Sequence, residues 1–158
     1  MSPSVSADTS SIDTIIHALY ESISFIPDSQ PDFTRLKSLF HSRGRLIPPS
    51  ENEGKGIKVL DVDEFIRNSR EAIIIGGMES KGFFERELHR QTESFGNIVH
   101  AFSTYESRFN PADKEPIQRG INSIQLVRDQ GRWWVLTILW DAERPGNPIS
   151  SKSPQNEG

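Results

Sequence analysis

Two histidines lie on either side of a predicted tight turn, where side chains capable of acid/base chemistry are close together in the sequence. His89 and His100 flank the pair Gly96-Asn97. If this turn has a two-residue loop, the histidines share one face of a hairpin, whereas a three-residue loop places them on opposite faces. The side chains that would join them on a shared face are Glu87, Gln91, Glu93 and Glu106.

A cluster of histidine and carboxylate side chains could act as a general base or bind a divalent metal. The chain lacks the tight ligand spacing of motifs such as HExxH. A half-exposed polar sheet face would carry the same residues with no chemical role. We therefore predict no metal and no cofactor, and keep His89 and His100 as candidates for contact with a ligand.

Polar side chains on segments that otherwise look buried form a second group of candidates. Tyr20 lies on the apolar stripe of the first predicted helix, while Tyr105, Arg119 and Asn122 lie on predicted strands. Buried polar groups need hydrogen-bond partners, and a ligand is one possible partner among several. A tyrosine on a core stripe more often serves packing, with its hydroxyl reaching the surface or a single partner. With Trp140 on the last strand, these residues complete the predicted lining of a ligand pocket.

Composition limits the classes of protein to which the chain can belong. Its 158 residues are the length of one domain, and it has no cysteine for disulfides, thiolate metal sites or a thiol nucleophile. The formal charge of -4 argues against a nucleic-acid partner. We expect no membrane partner either, because a signal peptide and an apolar run of roughly 20 residues are both missing. These features predict a cytoplasmic, soluble protein.

The elements that position the candidates begin with three predicted helices. The first carries an apolar stripe, the second follows Asp32 as a candidate N-cap and ends before Gly44, and the third begins at Asp61 with Glu64 as a capping box and ends at Gly76. The stripe of the first helix consists of Ile12, Ile15, Ile16, Leu19, Tyr20 and Ile23, and that of the second of Phe33, Leu36, Leu39 and Phe40.

The second half of the chain predicts four long strands. They cover residues 83–94, 98–109, 119–128 and 132–142, and a brief strand at "RLIPP" precedes the third helix. Helices followed by hairpins indicate an α+β domain with an antiparallel sheet that packs its helices on one face. We place this domain at residues 11–144, between loose tails at 1–10 and 145–158 that are rich in Ser, Pro, Asn and Gly.

The last strand is unusual because it is apolar on both faces. If Arg128 pairs with Trp133, the face that carries Asn122 also carries Val135, Thr137 and Leu139. The opposite face then holds Trp134, Leu136, Ile138 and Trp140. A strand with two apolar faces suits a sheet that meets the core on one side and a partner subunit on the other.

Two strings in these strands resemble the NTF2-like superfamily, which includes SnoaL-type cyclases, ketosteroid isomerase and scytalone dehydratase. "FGNIVHAFSTYESR" is similar to the family's third-to-fourth strand hairpin, and "RGINSIQLVRDQGRWWVLTILWDAE" to the last hairpin of SnoaL-like members. The resemblance spans about residues 10–143. It implies a cone of three helices on a strongly curved, mixed, mainly antiparallel sheet, with a pocket at the open end and a homodimer through the sheet face.

The resemblance leaves two functions open. A phenol at Tyr20 would point into the cone and donate to a developing oxyanion. However, proton-abstracting members carry an acid near the end of the first short strand, where this chain has Ile47 and Pro48. An isomerase-like mechanism therefore needs His89, His100 or an acid elsewhere. The predicted function is binding of a small, partly apolar ligand, with lyase, isomerase or hydrolase chemistry, and the alternative is a non-catalytic dimeric binding or assembly module.

Overall fold

A computed structural model describes residues 5–50 and 54–150 of the chain. Its helices are α1 (Val5–Asp8), α2 (Ile12–Ile23), α3 (Phe33–Leu39) and α4 (Val62–Ile75), with a 3-10 turn at Met78–Ser80. Its strands are β1 (Phe40–Ile47), β2 (Leu60–Asp61), β3 (Phe84–Phe95), β4 (Ile98–Arg108), β5 (Gln118–Asp129) and β6 (Arg132–Ala142).

The strands form a six-stranded sheet in the order β2-β1-β6-β5-β4-β3. Strand β1 runs parallel to β6, and every other neighbouring pair is antiparallel. The core lies between one face of this sheet, here called the inner face, and the apolar sides of α2, α3 and α4. The predicted α+β class, with helices packed on a mixed, mainly antiparallel sheet, is confirmed.

The helices start where the capping residues of the sequence indicate. The Ser11 side chain accepts from the Thr14 backbone N–H at the start of α2, and Asp61 and Glu64 form a reciprocal capping box at the start of α4. Helix α3 ends one residue earlier than its apolar stripe suggests. Phe40 is the first residue of β1 and pairs with Val135 of β6, because sheet pairing there replaces a further helical turn.

The N-terminal segment differs from its prediction as a loose tail over residues 1–10. Residues 5–8 form the short helix α1, and Asp8 and Thr9 are buried. The Asp8 carboxylate accepts two hydrogen bonds of 2.9 Å from the Arg35 guanidinium, and this bidentate ion pair holds the segment on α3. Residues 1–4 lie outside the described part of the chain.

The end of the domain also continues past its predicted boundary at 144. Arg144 and Asn147 form an antiparallel bridge, and the Ile149 backbone N–H donates to the Glu143 carboxylate at 2.8 Å. These contacts connect residues 145–149 to the end of β6. The rest of the predicted C-terminal tail, from 151 to 158, lies outside the described residues.

Two β-bulges change which side chains face the core. In the last hairpin Arg128 pairs with Trp133 as predicted, but Leu126 pairs with Val135 and Gln125 with Thr137, so that Leu136 is an extra residue. The predicted faces are therefore wrong after this point. Ile138 and Trp140 turn to the inner face, while Thr137 and Leu139 turn to the opposite, outer face. The second bulge is at Leu88, between Glu87 and His89 in β3.

Candidate functional site

A cavity of about 280 Å³ lies between the helices and the inner face of the sheet. Most of its wall is apolar. Its aromatic side chains are Tyr20, Phe25, Phe33, Phe65, Phe83, Tyr105 and Trp140, and its remaining polar side chains are Ser69, Glu85, Gln118 and Asn122. The rest of the wall is aliphatic, with Pro31 and Met78. Helix α2 thus forms one side of the cavity, α3 and α4 form a second side, and the inner face of β3 to β6 forms the side opposite the helices.

Four of the candidates from the sequence line this cavity, namely Tyr20, Tyr105, Asn122 and Trp140. Trp140 reaches it only because the bulge at Leu136 turns the end of β6 inward. Its ring packs edge-on against Phe65 of α4, with the centroids 6.1 Å apart. The structure therefore brings these four side chains together around one space, as a pocket role would require.

The other three candidates, His89, His100 and Arg119, are not among the residues of the cavity wall. Phe95 pairs with Ile98, so the turn has the two-residue loop that places both histidines on one face, and that face is the outer one. His100 hydrogen-bonds to Ser123 at 2.9 Å, and Arg119 lies 3.9 Å from the Glu143 carboxylate.

Of the carboxylates predicted beside the histidines, Glu93 is the cross-strand partner of His100, whereas Glu106 and Glu87 have other neighbours. Glu106 accepts from the guanidinium groups of Arg108 and Arg86, and these hydrogen bonds hold the pKa of its carboxyl below the ordinary value. Glu87 precedes the bulge and turns to the inner face, where it accepts from Ser103. Among residues 5–50 and 54–150, no group of three or more His, Asp or Glu side chains is placed to hold a metal ion.

Glu85 is the functional candidate that the sequence did not single out. Its carboxyl group lines the cavity and forms no hydrogen bond or ion pair with any described residue. Burial without a compensating partner raises the pKa of this carboxyl to about 8. A simple alternation places Glu85 on the same face as His89, and only the bulge at Leu88 separates them. Glu85 is one of several acids in the stretch "FERELHRQTE", and nothing else in this stretch distinguishes it from the others.

The backbone of Glu85 is fixed to helix α2 by one serine. The Glu85 N–H donates to the Ser24 hydroxyl oxygen at 3.0 Å, and this hydroxyl donates to the Tyr20 carbonyl at 2.8 Å. Strand β3 is the edge of the sheet, so this link keeps its start against the helix. It thereby sets the position of the Glu85 side chain relative to Tyr20.

Tyr20 has both of its hydrogen-bonding roles filled by protein groups. Ser103 donates its only hydroxyl proton to the Glu87 carboxylate at 2.5 Å, so the 2.6 Å contact between Ser103 and Tyr20 must use the phenol proton. The phenol oxygen in turn accepts from the Asn122 amide at 3.0 Å. Burial raises the pKa of Tyr20 above its ordinary value, although both hydrogen bonds act in the opposite direction. This phenol is therefore not free to donate to a ligand.

Tyr105 is the phenol that remains available. Its side chain is 2% exposed, and its hydroxyl has no hydrogen-bond partner among the described residues. Burial raises the pKa of Tyr105, and the negative charge of Glu85 adds to this effect. The ring lies directly over Gly120, where a Cβ atom would stand 2.5 Å from the Tyr105 hydroxyl oxygen. A glycine at 120 is thus required by the close approach of Tyr105.

A second, outer cleft of about 820 Å³ lies between α2 and β3. Tyr20, Phe25 and Glu85 line both this cleft and the cavity, so the Glu85 carboxyl has a path to water. The charged side chains that line this outer cleft are largely paired with one another. Arg90, for example, binds the Glu87 carboxylate and also Asp13, at 2.6 Å.

The same arrangement of elements occurs in solved structures of NTF2-like proteins. An NTF2-like protein of unknown function from Pseudomonas putida superposes with a TM-score of 0.62 over 95% of this chain and 92% of its own, at 13% identity. A Parabacteroides distasonis protein provisionally named a ketosteroid isomerase gives a TM-score of 0.56 over 84% and 88%, at 12% identity. The chain therefore has the NTF2-like fold, as the sequence predicted.

A third similar structure is a Novosphingobium aromaticivorans protein provisionally named a scytalone dehydratase. Its TM-score is 0.51 over 72% of each chain, at 13% identity. The chain matches no protein-family model and no curated protein by sequence. Identities this low establish the fold alone, because this fold carries enzymes and binding modules alike. No described helix has the length and apolar character needed to cross a membrane.

Proposed function

We propose that the protein binds a small, mainly apolar molecule in the cavity and that Glu85 exchanges a proton with it as a general acid/base. The observation that carries this proposal is an unpartnered carboxyl in an apolar cavity. Glu85 is half-buried, and a carboxylate held against an apolar wall without donors costs free energy to keep charged; groups of this kind are concentrated at functional sites. Structural carboxylates of this chain, such as Asp8 and Glu106, are instead bound by arginine.

The pKa of Glu85 suits proton transfer near neutral pH. A catalytic acid or base works best when its pKa lies near the working pH, and burial brings the pKa of Glu85 to about 8. The acid that is missing near Ile47 and Pro48 is thus replaced, in this proposal, by one on β3. The Tyr105 hydroxyl supplies a free donor for a ligand oxygen in the same cavity.

The cavity also limits the ligand. Its volume of about 280 Å³ is at the lower end of the range for small-molecule sites, roughly 300 to 1,000 Å³, so a compact ligand fits. Within residues 5–50 and 54–150, no Lys, Arg or His side chain lines it. An anionic ligand would meet Glu85 without a compensating cation, which disfavours carboxylates and phosphates.

The experiment uses cyclohexanone as a compact probe with exchangeable protons beside its carbonyl group. In D2O, proton NMR follows the replacement of these protons by deuterium. We expect the wild-type protein to accelerate this exchange and Glu85→Gln to lose most of the acceleration, since the amide cannot accept the proton. Glu93→Gln is the matched control, because Glu93 is an exposed acid of the same strand. Equal exchange with wild type and Glu85→Gln would reject a base role for Glu85.

A second candidate function, a dimeric binding or assembly module, is favoured by the outer face of the sheet. Large apolar side chains are exposed there, including Ile98 at 59%, Phe102 at 45% and Leu139 at 43%. We propose that two copies of the chain meet through this face. Sedimentation at micromolar concentration should then show a dimer that Phe102→Glu converts to a monomer, with Ala112→Glu in the exposed loop before β5 as the control. A monomeric wild-type protein would rule this out.

A further inference from the structure

We propose that the ligand of this cavity is a compact apolar amine whose ammonium group pairs with the Glu85 carboxylate. This inference rests on the proposed function, since it assigns a ligand class to the same cavity. Three features carry it: the carboxyl that the wall leaves without a cationic partner, the hydrogen-bonding groups left free, and the aromatic composition of the wall. Each of them favours a cation over a neutral or anionic group.

The first feature is the absence of an internal counterion for Glu85 among the described residues. Arg86 binds Glu106 at 2.8 Å, and Arg90 is held by Glu87 and Asp13. The other titratable groups that line the cavity or the outer cleft around Glu85 are Asp13, His17, Tyr20 and Glu21 of α2, Asp32, and Tyr105 of β4. All of these are acidic or phenolic except His17, whose ring is bound to Glu21 at 2.9 Å. A ligand cation is therefore the partner that this carboxyl lacks.

The second feature is the set of acceptor atoms left free on the wall that the inner face of the sheet provides. Asn122 must direct an N–H to Tyr20, because the phenol proton is committed to Ser103. Its carbonyl oxygen Oδ1 then has no partner among the described residues. With the Glu85 carboxyl and the oxygen of Tyr105, this makes three acceptors on one wall, and an ammonium group has three protons to donate.

The third feature is the aromatic wall. Ammonium groups are attracted to the faces of Trp, Tyr and Phe rings, most strongly where water is excluded. Phe65 and Trp140 meet edge to face on one side of the cavity, and Phe25 and Phe83 stack with their centroids 6.4 Å apart on the side of β3. The rings also provide the apolar surface that the hydrocarbon part of the ligand would cover.

Binding of such a ligand moves one proton. Near neutral pH the Glu85 carboxyl holds its proton and a simple alkylamine is already an ammonium ion. When the ammonium binds, the O–H bond of the carboxyl breaks and the proton leaves to solvent through the outer cleft, which Glu85 also lines. The complex then contains a carboxylate and an ammonium, and one proton has been released per amine bound.

The experiment compares benzylamine with benzyl alcohol, which has the same shape and no charge. Isothermal titration calorimetry at pH 6.5, in buffers of different ionisation enthalpy, measures both affinity and protons released. We expect benzylamine to bind at least about tenfold more tightly and to release close to one proton, with no release by the alcohol. Its affinity should rise by about tenfold per pH unit from 6 to 7.5, as Glu85 ionises.

Variants assign the effect to Glu85. Glu85→Gln should remove the advantage of the amine over the alcohol and the proton release, whereas the exposed control Glu93→Gln should keep both. If Glu85→Gln does not fold, the proton count and the pH dependence of the wild-type protein decide the question. Equal binding of both probes without proton release overturns the amine assignment and leaves the proposed cavity function standing. Failure of both probes to bind contradicts the two proposals together.

Discussion

Replacement of Glu85 by glutamine should change how the stability of the protein depends on pH. A glutamate in the unfolded chain titrates near 4.5, whereas the pKa of Glu85 in the fold is about 8. Between these values the folded protein keeps a proton that the unfolded chain has released. The stability that this proton provides is fully present below pH 4.5 and is lost as the pH rises through 8. Glutamine does not titrate, so the variant lacks this loss.

The size of the effect follows from the two pKa values. In the interval between them, the difference in unfolding free energy between variant and wild type changes by about 1.4 kcal/mol per pH unit in favour of the variant. The full interval sets an upper limit of about 5 kcal/mol. Because Glu85 also borders the outer cleft, water screens part of the penalty, and we expect about 2 to 4 kcal/mol between pH 5 and pH 8.5.

Urea unfolding followed by tryptophan fluorescence measures these free energies, since all three tryptophans lie on β6. Wild type, Glu85→Gln and Glu93→Gln are compared at several pH values from 5 to 8.5. The unfolding free energy of the control Glu93→Gln should depend on pH in the same way as that of the wild type, because Glu93 is exposed. If the curve of Glu85→Gln also stays parallel to the wild type, the carboxyl of Glu85 is not held neutral by burial and the reasoning is wrong.

Two further substitutions test a close contact in the cavity wall and the ion pair that holds the N-terminal segment on α3. Gly120→Ala should destabilise the protein by about 1 to 3 kcal/mol, because the added methyl group would lie 2.5 Å from the Tyr105 hydroxyl oxygen. Thermal unfolding compared with Gln125→Ala, an exposed position of the same strand, checks this, and equal melting temperatures would refute it. Arg35→Met should cost about 3 to 5 kcal/mol by leaving the buried Asp8 carboxylate unpaired. Asp8→Asn combined with Arg35→Met should recover part of that loss, whereas a double variant less stable than Arg35→Met would contradict the ion-pair account.

Local patterns predicted the order of elements and most of their boundaries. The capping residues Ser11 and Asp61 mark the starts of α2 and α4, and the turn at Gly96-Asn97 defines the β3–β4 hairpin. Such signals act over a few residues, so a sequence displays them directly. Together with the resemblance of two strings to the NTF2-like superfamily they predicted the fold, and three of the residues chosen for the pocket, Tyr20, Tyr105 and Asn122, line the cavity without help from a bulge in their own strand or helix.

The residue with the most favourable chemistry was missed for a physical reason. Alternation along β3 continues unbroken in the sequence, but the strand gains an extra residue at Leu88 when it pairs with β4. That residue moves Glu85 and Glu87 to the inner face and leaves His89 on the outer one. The bulge at Leu136 acts in the same way on β6 and brings Trp140 into the cavity wall.

The sequence by itself determined the class of fold, the helix starts and the hairpin order, because capping, periodicity and turn chemistry are local. The tertiary structure decided which carboxyl lies in the cavity, which phenol is free and which candidates lie on the outer face. Those outcomes depend on bulges and on hydrogen bonds between residues far apart in the chain, such as Asn122 to Tyr20 and Ser103 to Glu87. A period of two cannot show where a strand takes in an extra residue, since its paired neighbour sets that position.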